Sequence, residues 1–183
     1  MRLPISLSGP VGDHNPRMGQ PVGPSDAVLY RIQRGLSGYV SYLAACEMNK
    51  AFSEYVLYEP TLRILTAQSY TVETEKQCPG FPARSGDKKK IDFVVTGGNP
   101  DVHFAMEMKW ARKKRALKIE DDVEKLKKYQ EANQNAECLL CVFGVMSVLT
   151  KLTEPDDFVE CRDAVYADLK KTKFGCRIFK LTV

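Results

Sequence analysis

Two carboxylates and one amine stand out from their surroundings in the middle of the chain. Asp92 interrupts the apolar run Ile91, Phe93, Val94 and Val95, and Glu107 and Lys109 lie two residues apart in Phe104-Ala105-Met106-Glu107-Met108-Lys109-Trp110. In an extended strand, successive side chains point to opposite faces. His103, Ala105, Glu107 and Lys109 therefore share one face. Phe104, Met106, Met108 and Trp110 share the other, which is apolar throughout and is expected to enter a core. A carboxylate and an ammonium thus project together from an anchored strand, with a second carboxylate on the strand before. Hard oxygens of this kind suit Mg2+, which binds through few protein ligands and keeps several waters. A bound cation offsets charge on a scissile phosphate and lowers the pKa of its water. A neighbouring lysine orients or deprotonates that water and stabilises developing negative charge. The expected chemistry is metal-assisted hydrolysis of a phosphodiester, with Mn2+ able to replace Mg2+. The plainer alternative makes Glu107 and Lys109 an exposed pair on a solvated face, with Asp92 at a strand end.

Positive charge gathers on either side of these residues. Lys88, Lys89 and Lys90 precede Asp92, and Arg112, Lys113, Lys114, Arg115 and Lys118 follow Lys109. Clustered Lys and Arg neutralise phosphates and release counterions. Lys88, Lys89, Lys90, Arg112, Lys113, Lys114 and Arg115 are therefore the expected contacts to a nucleic-acid backbone. The bland reading leaves them as solvated loop residues. The net charge of +4 is modest, so placement matters more than the sum.

The elements that must position these groups follow in order along the chain. Residues 1–24 are rich in Pro and Gly without periodicity and are expected to form an irregular arm. Residues 25–183 have the length of one domain and show no internal repeat. Ser25-Asp26 offers N-cap chemistry to a helix on which Val28, Ile32, Leu36, Val40, Leu43 and Met48 make an imperfect apolar stripe, weakened by Gly35 and Gly38. A second helix starts near Ser53 and carries Val56, Leu57, Leu62 and Leu65, and Pro60 predicts a kink or break after Glu59. Alternation over 70–75 predicts a strand, and 78–87 a loop. Strands over 90–95 and 102–110 flank the turn Gly97-Gly98-Asn99-Pro100. The helix after them has Ile119, Val123, Leu126 and Gln130 on its apolar stripe, with Glu120, Glu124, Lys125 and Lys128 elsewhere. Residues 138–145 are uniformly apolar, as in a strand covered on both faces. Strand, helix, buried strand predicts a right-handed parallel crossover. The tail reads as a helix around 158–169 and a final strand over 176–183. The expected class is α/β, a three-layer sandwich with a central mixed sheet flanked by helices.

At Asp92, Glu107 and Lys109 the chain resembles the PD-(D/E)XK nuclease superfamily, whose fold is restriction-endonuclease-like. The pattern of that superfamily is an acid on one strand, a variable gap, then Asp or Glu, any residue, and Lys on the next strand. The resemblance covers roughly residues 50–146, and the expected helix, strand, strand, strand, helix, strand order agrees with an α-β-β-β-α-β core. It implies that Asp92 and Glu107 bind the divalent metal and that Lys109 assists the water. Ile91 stands where a proline often precedes the first acid. Many members add a glutamate from the preceding helix to the metal site. By resemblance of the segment 53–60 that residue is Glu54, with Glu47 and Glu59 as competitors. DNA is favoured over RNA, because the superfamily acts mostly on DNA, and endonuclease action is expected.

Other function classes find little support. No stretch approaches the roughly 20 apolar residues of a membrane span, and the first residues lack the apolar core of a signal peptide. The default expectation is an intracellular, cytoplasmic protein. Cys138 and Cys141 form a CxxC inside an apolar strand, where residues three apart face opposite ways, and with His14 and His103 as the only histidines no zinc set is completed. The six cysteines read as buried structural thiols. His103 reads as a surface residue, Glu73 and Glu75 as solvated strand positions, and Trp110 and the tyrosines as core or surface aromatics rather than stacking platforms. Two other functions compete with the nuclease. One is an idle nuclease-like module that binds nucleic acid or a protein. The other is a subunit of a larger nucleic-acid-processing complex, its targets chosen by a partner or by homodimerisation.

Overall fold

The computed structural model describes residues 23–48, 52–81, 89–98, 102–111, 117–169 and 171–182. The expected N-terminal arm lies outside these residues up to position 22, as do Lys88, Arg112, Lys113, Lys114 and Arg115. Helix α1 (Asp26–Ala45) runs unbroken through both glycines. A Cβ on Gly35 would stand 2.8 Å from Ile64 Cδ1, so its bare backbone lets α2 (Tyr58–Thr66) pack close. The kink expected after Glu59 is absent. Pro60 is the third residue of α2, in the first turn, where its missing N–H costs no helical bond. The break falls earlier, at a 3-10 turn over Tyr55–Leu57.

Three strands follow: β1 (Thr71–Gln77), β2 (Lys90–Gly97) and β3 (Val102–Ala111). Helix α3 (Glu120–Ala132) then leads to β4 (Glu137–Val145) and the short α4 (Met146–Leu149). The chain ends in β5 (Phe158–Glu160), β6 (Val165–Ala167) and β7 (Phe174–Leu181). The sheet is seven-stranded and mixed, in the order β1-β2-β3-β4-β7-β5, with β6 also beside β7. Among the described strands only β3 and β4 run parallel, as the crossover through α3 requires. The tail corrects the helix expected around 158–169. Those residues supply β5 and β6, which pair with successive halves of the β7 edge that β4 leaves open. Short strands of this kind satisfy backbone groups that a helix would leave unpaired.

Helices cover both faces. On one, Ile32 and Leu36 of α1 and Leu65 of α2 pack against Phe93, Phe104, Met106 and Met108. On the other, Leu126 and Tyr129 of α3 pack against Val94, Ala105, Cys138 and Leu140. The even positions of β3 thus enter a core as alternation predicts. The odd face is not solvated, because α3 lies across it. Cys138 and Cys141 fall in opposite clusters and do not converge. Among the described residues no helix is long and apolar enough to cross a membrane.

Candidate active site

The β2–β3 ladder ends at Phe93 opposite Met106, while β3 stays paired with β4 as far as Ala111 opposite Gly144. One step beyond the last β2–β3 pair come Asp92 and Glu107. There the two strands separate, and amides of β3 turn to side chains. Met108 N–H donates to Asp92 Oδ2 at 2.8 Å, and Trp110 N–H donates to Glu54 Oε1 at 3.1 Å. The opening in the sheet is therefore lined by two carboxylates that replace backbone acceptors. Phe52, just upstream of Glu54, anchors that segment by packing 5.3 Å from the Trp110 ring and 5.5 Å from Phe174.

The Asp92 carboxylate has a second donor, the Tyr58 hydroxyl from the first turn of α2. Burial and then the Asp92 carboxylate push the Tyr58 hydroxyl's pKa well up, so it remains a donor. Glu107 is 1% exposed. Its Oε2 pairs with Lys125 Nζ of α3 at 2.7 Å. Its Oε1 is buried and has no hydrogen-bond partner among the described residues. Burial, and next the charge of Asp92, push the Glu107 carboxyl up to about 9, against the pull of Lys125.

Lys109 Nζ lies 2.7 Å from Asp122 Oδ2 and 4.0 Å from Glu54 Oε1. Burial works to lower its pKa, but Asp122 and Glu54 outweigh it and hold Lys109 as an ammonium. Lys125 also reaches Asp122 Oδ1 at 3.1 Å and donates to the Lys90 carbonyl at 3.1 Å. A chain of paired acids and lysines thus runs from Glu107 through Lys125, Asp122 and Lys109 to Glu54.

Asp92, Glu107, Lys109 and Glu54 are thus all at the opening. Of the three candidate upstream acids only Glu54 comes there. Glu59 pairs with Arg63 on the exposed side of α2, and Glu47 is exposed beyond the end of α1. Glu54 stands just before the 3-10 turn rather than on a helix. Lys89 and Lys90 sit at the outer end of β2 and are paired with Asp121 at 3.3 Å and Glu75 at 2.9 Å. His103 is half-buried rather than a surface residue, with Nε2 3.0 Å from the Tyr129 hydroxyl. Glu73 and Glu75 are exposed, as expected.

Sequence reasoning missed Tyr58, Asp122 and Lys125, and it placed Lys125 off the apolar stripe of its helix. The buried face of α3 is Asp122, Lys125, Leu126 and Tyr129. These residues are three and four apart, and a crossover helix must turn one face to the sheet. Leu126 and Tyr129 together were the signal that marked which face.

Among the described residues, no group of three or more His, Cys, Asp or Glu is arranged to hold a metal ion. Glu54 therefore does not complete a three-carboxylate cage with Asp92 and Glu107. Both Asp92 oxygens already accept hydrogen bonds, from Tyr58 and from the Met108 amide. A buried carboxyl oxygen without a donor among the described residues, Glu107 Oε1, is what a hard cation would satisfy. Comparison with protein-family models, curated proteins and solved structures finds no significant match, so the geometry of this opening carries the functional reading.

Proposed function

We propose that this chain is a divalent-metal-dependent nuclease with a restriction-endonuclease-like core, acting on DNA in preference to RNA. The observation that carries the reading is Glu107. It is an acid sealed into the sheet, with one oxygen that has no donor among the described residues, and it lies across from Asp92 one step beyond the last β2–β3 pair. Burying an unpaired acid oxygen is costly, so a group of this kind points to a ligand. The order α2, β1, β2, β3, α3, β4 supports the fold reading.

Asp92 and Glu107 would hold Mg2+ or Mn2+, which when bound offsets charge on the scissile phosphate and acidifies a water. Tyr58 and the Met108 amide fix the Asp92 carboxylate from two sides. Lys125 fixes Glu107 in the same way. Lys109, kept as an ammonium, acts as an electrostatic and hydrogen-bond donor toward negative charge developing on the phosphate. Glu54 and Asp122 orient it. Cleavage of supercoiled plasmid and single-stranded DNA in Mg2+, Mn2+ or EDTA tests this. Metal-dependent nicking by wild type should be lost in Glu107→Ala, and Glu107→Ala protein that cleaves as fast as wild type would overturn the reading.

A second reading also has an observation behind it. Lys125 and Lys109 already neutralise Glu107 and Asp122, and the described acids form no three-membered group. On that reading the cluster is a closed ion network in a module that binds nucleic acid or protein, alone or within a larger assembly. DNA binding that persists in EDTA, with no cleavage in any divalent metal, would select it.

A further inference from the structure

The segment that brings Glu54 and Tyr58 to the opening also carries Tyr55, and Tyr55 faces outward. Its neighbours show how the segment divides. Phe52 packs inward on Trp110, Glu54 accepts the Trp110 amide, and Tyr58 reaches Asp92. Leu57 is fully buried. Tyr55 alone among these is left 70% exposed. Its one ring contact among the described residues is Tyr58, at 5.4 Å between centroids and a tilt of 44°. One broad ring face is therefore open, and it is one aromatic ring away from the carboxylate of Asp92. An isolated exposed aromatic needs no explanation. An exposed aromatic on the short turn that supplies Glu54 is different, because its ring packs on Tyr58, whose hydroxyl holds Asp92.

We infer that Tyr55 is a stacking platform for an unpaired base next to the scissile phosphate, which makes a single-stranded or frayed DNA segment the preferred substrate. The inference rests on the nuclease reading for the word substrate, but the stacking itself stands on the placement of Tyr55. A base inside a duplex is already stacked on both faces and has none to offer the ring. An unpaired base gains a partner, and such stacking tolerates any sequence because every base has a π-face. Tyr55 acts as a positioning residue: it touches a base and not the reacting atoms. The phenol hydroxyl is not required, so phenylalanine should serve as well.

The test measures binding in EDTA, where no cleavage can intervene, using fluorescence anisotropy. The probes are a labelled oligothymidylate and the same strand annealed to its oligoadenylate complement. Tyr55→Ala should weaken binding of the single strand by roughly 5- to 150-fold, leave the duplex within about twofold, and be rescued by Tyr55→Phe. Near-wild-type binding of the single strand by Tyr55→Ala overturns the inference. So does an equal loss on both probes, a failure of Tyr55→Phe to rescue, or a wild type that binds no single strand. The same preparations are then assayed for cleavage in Mg2+ and Mn2+. A Tyr55-dependent preference for the single strand without cleavage keeps the platform and removes the nuclease. Cleavage by wild type without that preference does the reverse.

Discussion

Glu107 holds one carboxyl oxygen on Lys125 and keeps the other without a donor among the described residues, inside a sheet covered on both faces. Its carboxyl is pushed up to about 9, first by burial and then by Asp92, so the folded protein binds a proton that the unfolded chain releases. The contribution is present in full below the ordinary carboxylate range and is lost as pH rises toward about 9. In EDTA the melting temperature should therefore fall between about pH 5 and pH 9, and Glu107→Gln should flatten that fall and melt higher than wild type at the alkaline end. Adding Mg2+ should raise the wild-type melting temperature by mass action and leave Glu107→Gln unmoved. A scanning-fluorimetry series across pH, with and without Mg2+, reads both. Lys125 is 9% exposed and pairs with Glu107 and Asp122. Lys125→Met takes from Glu107 its lysine partner and leaves Asp122 with Lys109 alone, and should cost about 3–5 kcal/mol in denaturant unfolding.

At the level of elements, β3 does two jobs. Its even positions anchor it beneath α1 and α2, and its odd positions present Glu107 and Lys109 to α3. The place of those side chains depends on the fit of β3 against β4. Gly144 of β4 lies so close to β3 that a Cβ would stand 2.7 Å from the Ala111 carbonyl and 3.1 Å from its Cβ. Backbone cannot give way as a flexible side chain can. Gly144→Ala should therefore destabilise the fold by about 1–3 kcal/mol, and cleavage assayed below the transition should fall with it. Gly35→Ala makes the contrast. The clashing atom there is the free end of Ile64, and alanine favours the helix by up to about 1 kcal/mol. That variant should unfold within about 1 kcal/mol of wild type.

For the molecule as a whole, charge placement matters more than the +4 total. Lys89 and Lys90 lie on the outer end of β2 and share their charge with Asp121 and Glu75. Exposed pairs of this kind are worth little to folding, so a phosphate can compete for the lysines. DNA binding should weaken linearly in a plot of log affinity against log salt. Lys89→Ala should lower the slope by about 1 and weaken binding alike for all sequences. An unchanged slope, from anisotropy titrations at several salt concentrations, would remove Lys89 from the interface.

How much was legible in the sequence depends on distance along the chain. Asp92 and Glu107 were readable because each interrupts an apolar strand, and strand alternation is fixed by local backbone geometry. The parallel pairing of β3 with β4 followed from the strand, helix, strand order, since a parallel neighbour needs a crossover. The tail was misread because β5 and β6 are three residues each, too short for alternation to declare itself, and only the open edge of β7 draws them into the sheet. Asp122 and Lys125 stood hidden in a helix dense with charge, where local pattern cannot say which acid and which lysine lose their water. The Tyr58 bond to Asp92 spans 34 positions, and no spacing rule reaches that far. By itself the sequence determined the periods of the elements and the identity of the acids on them. Tertiary packing decided which charges are buried, because desolvation depends on what arrives from elsewhere in the chain.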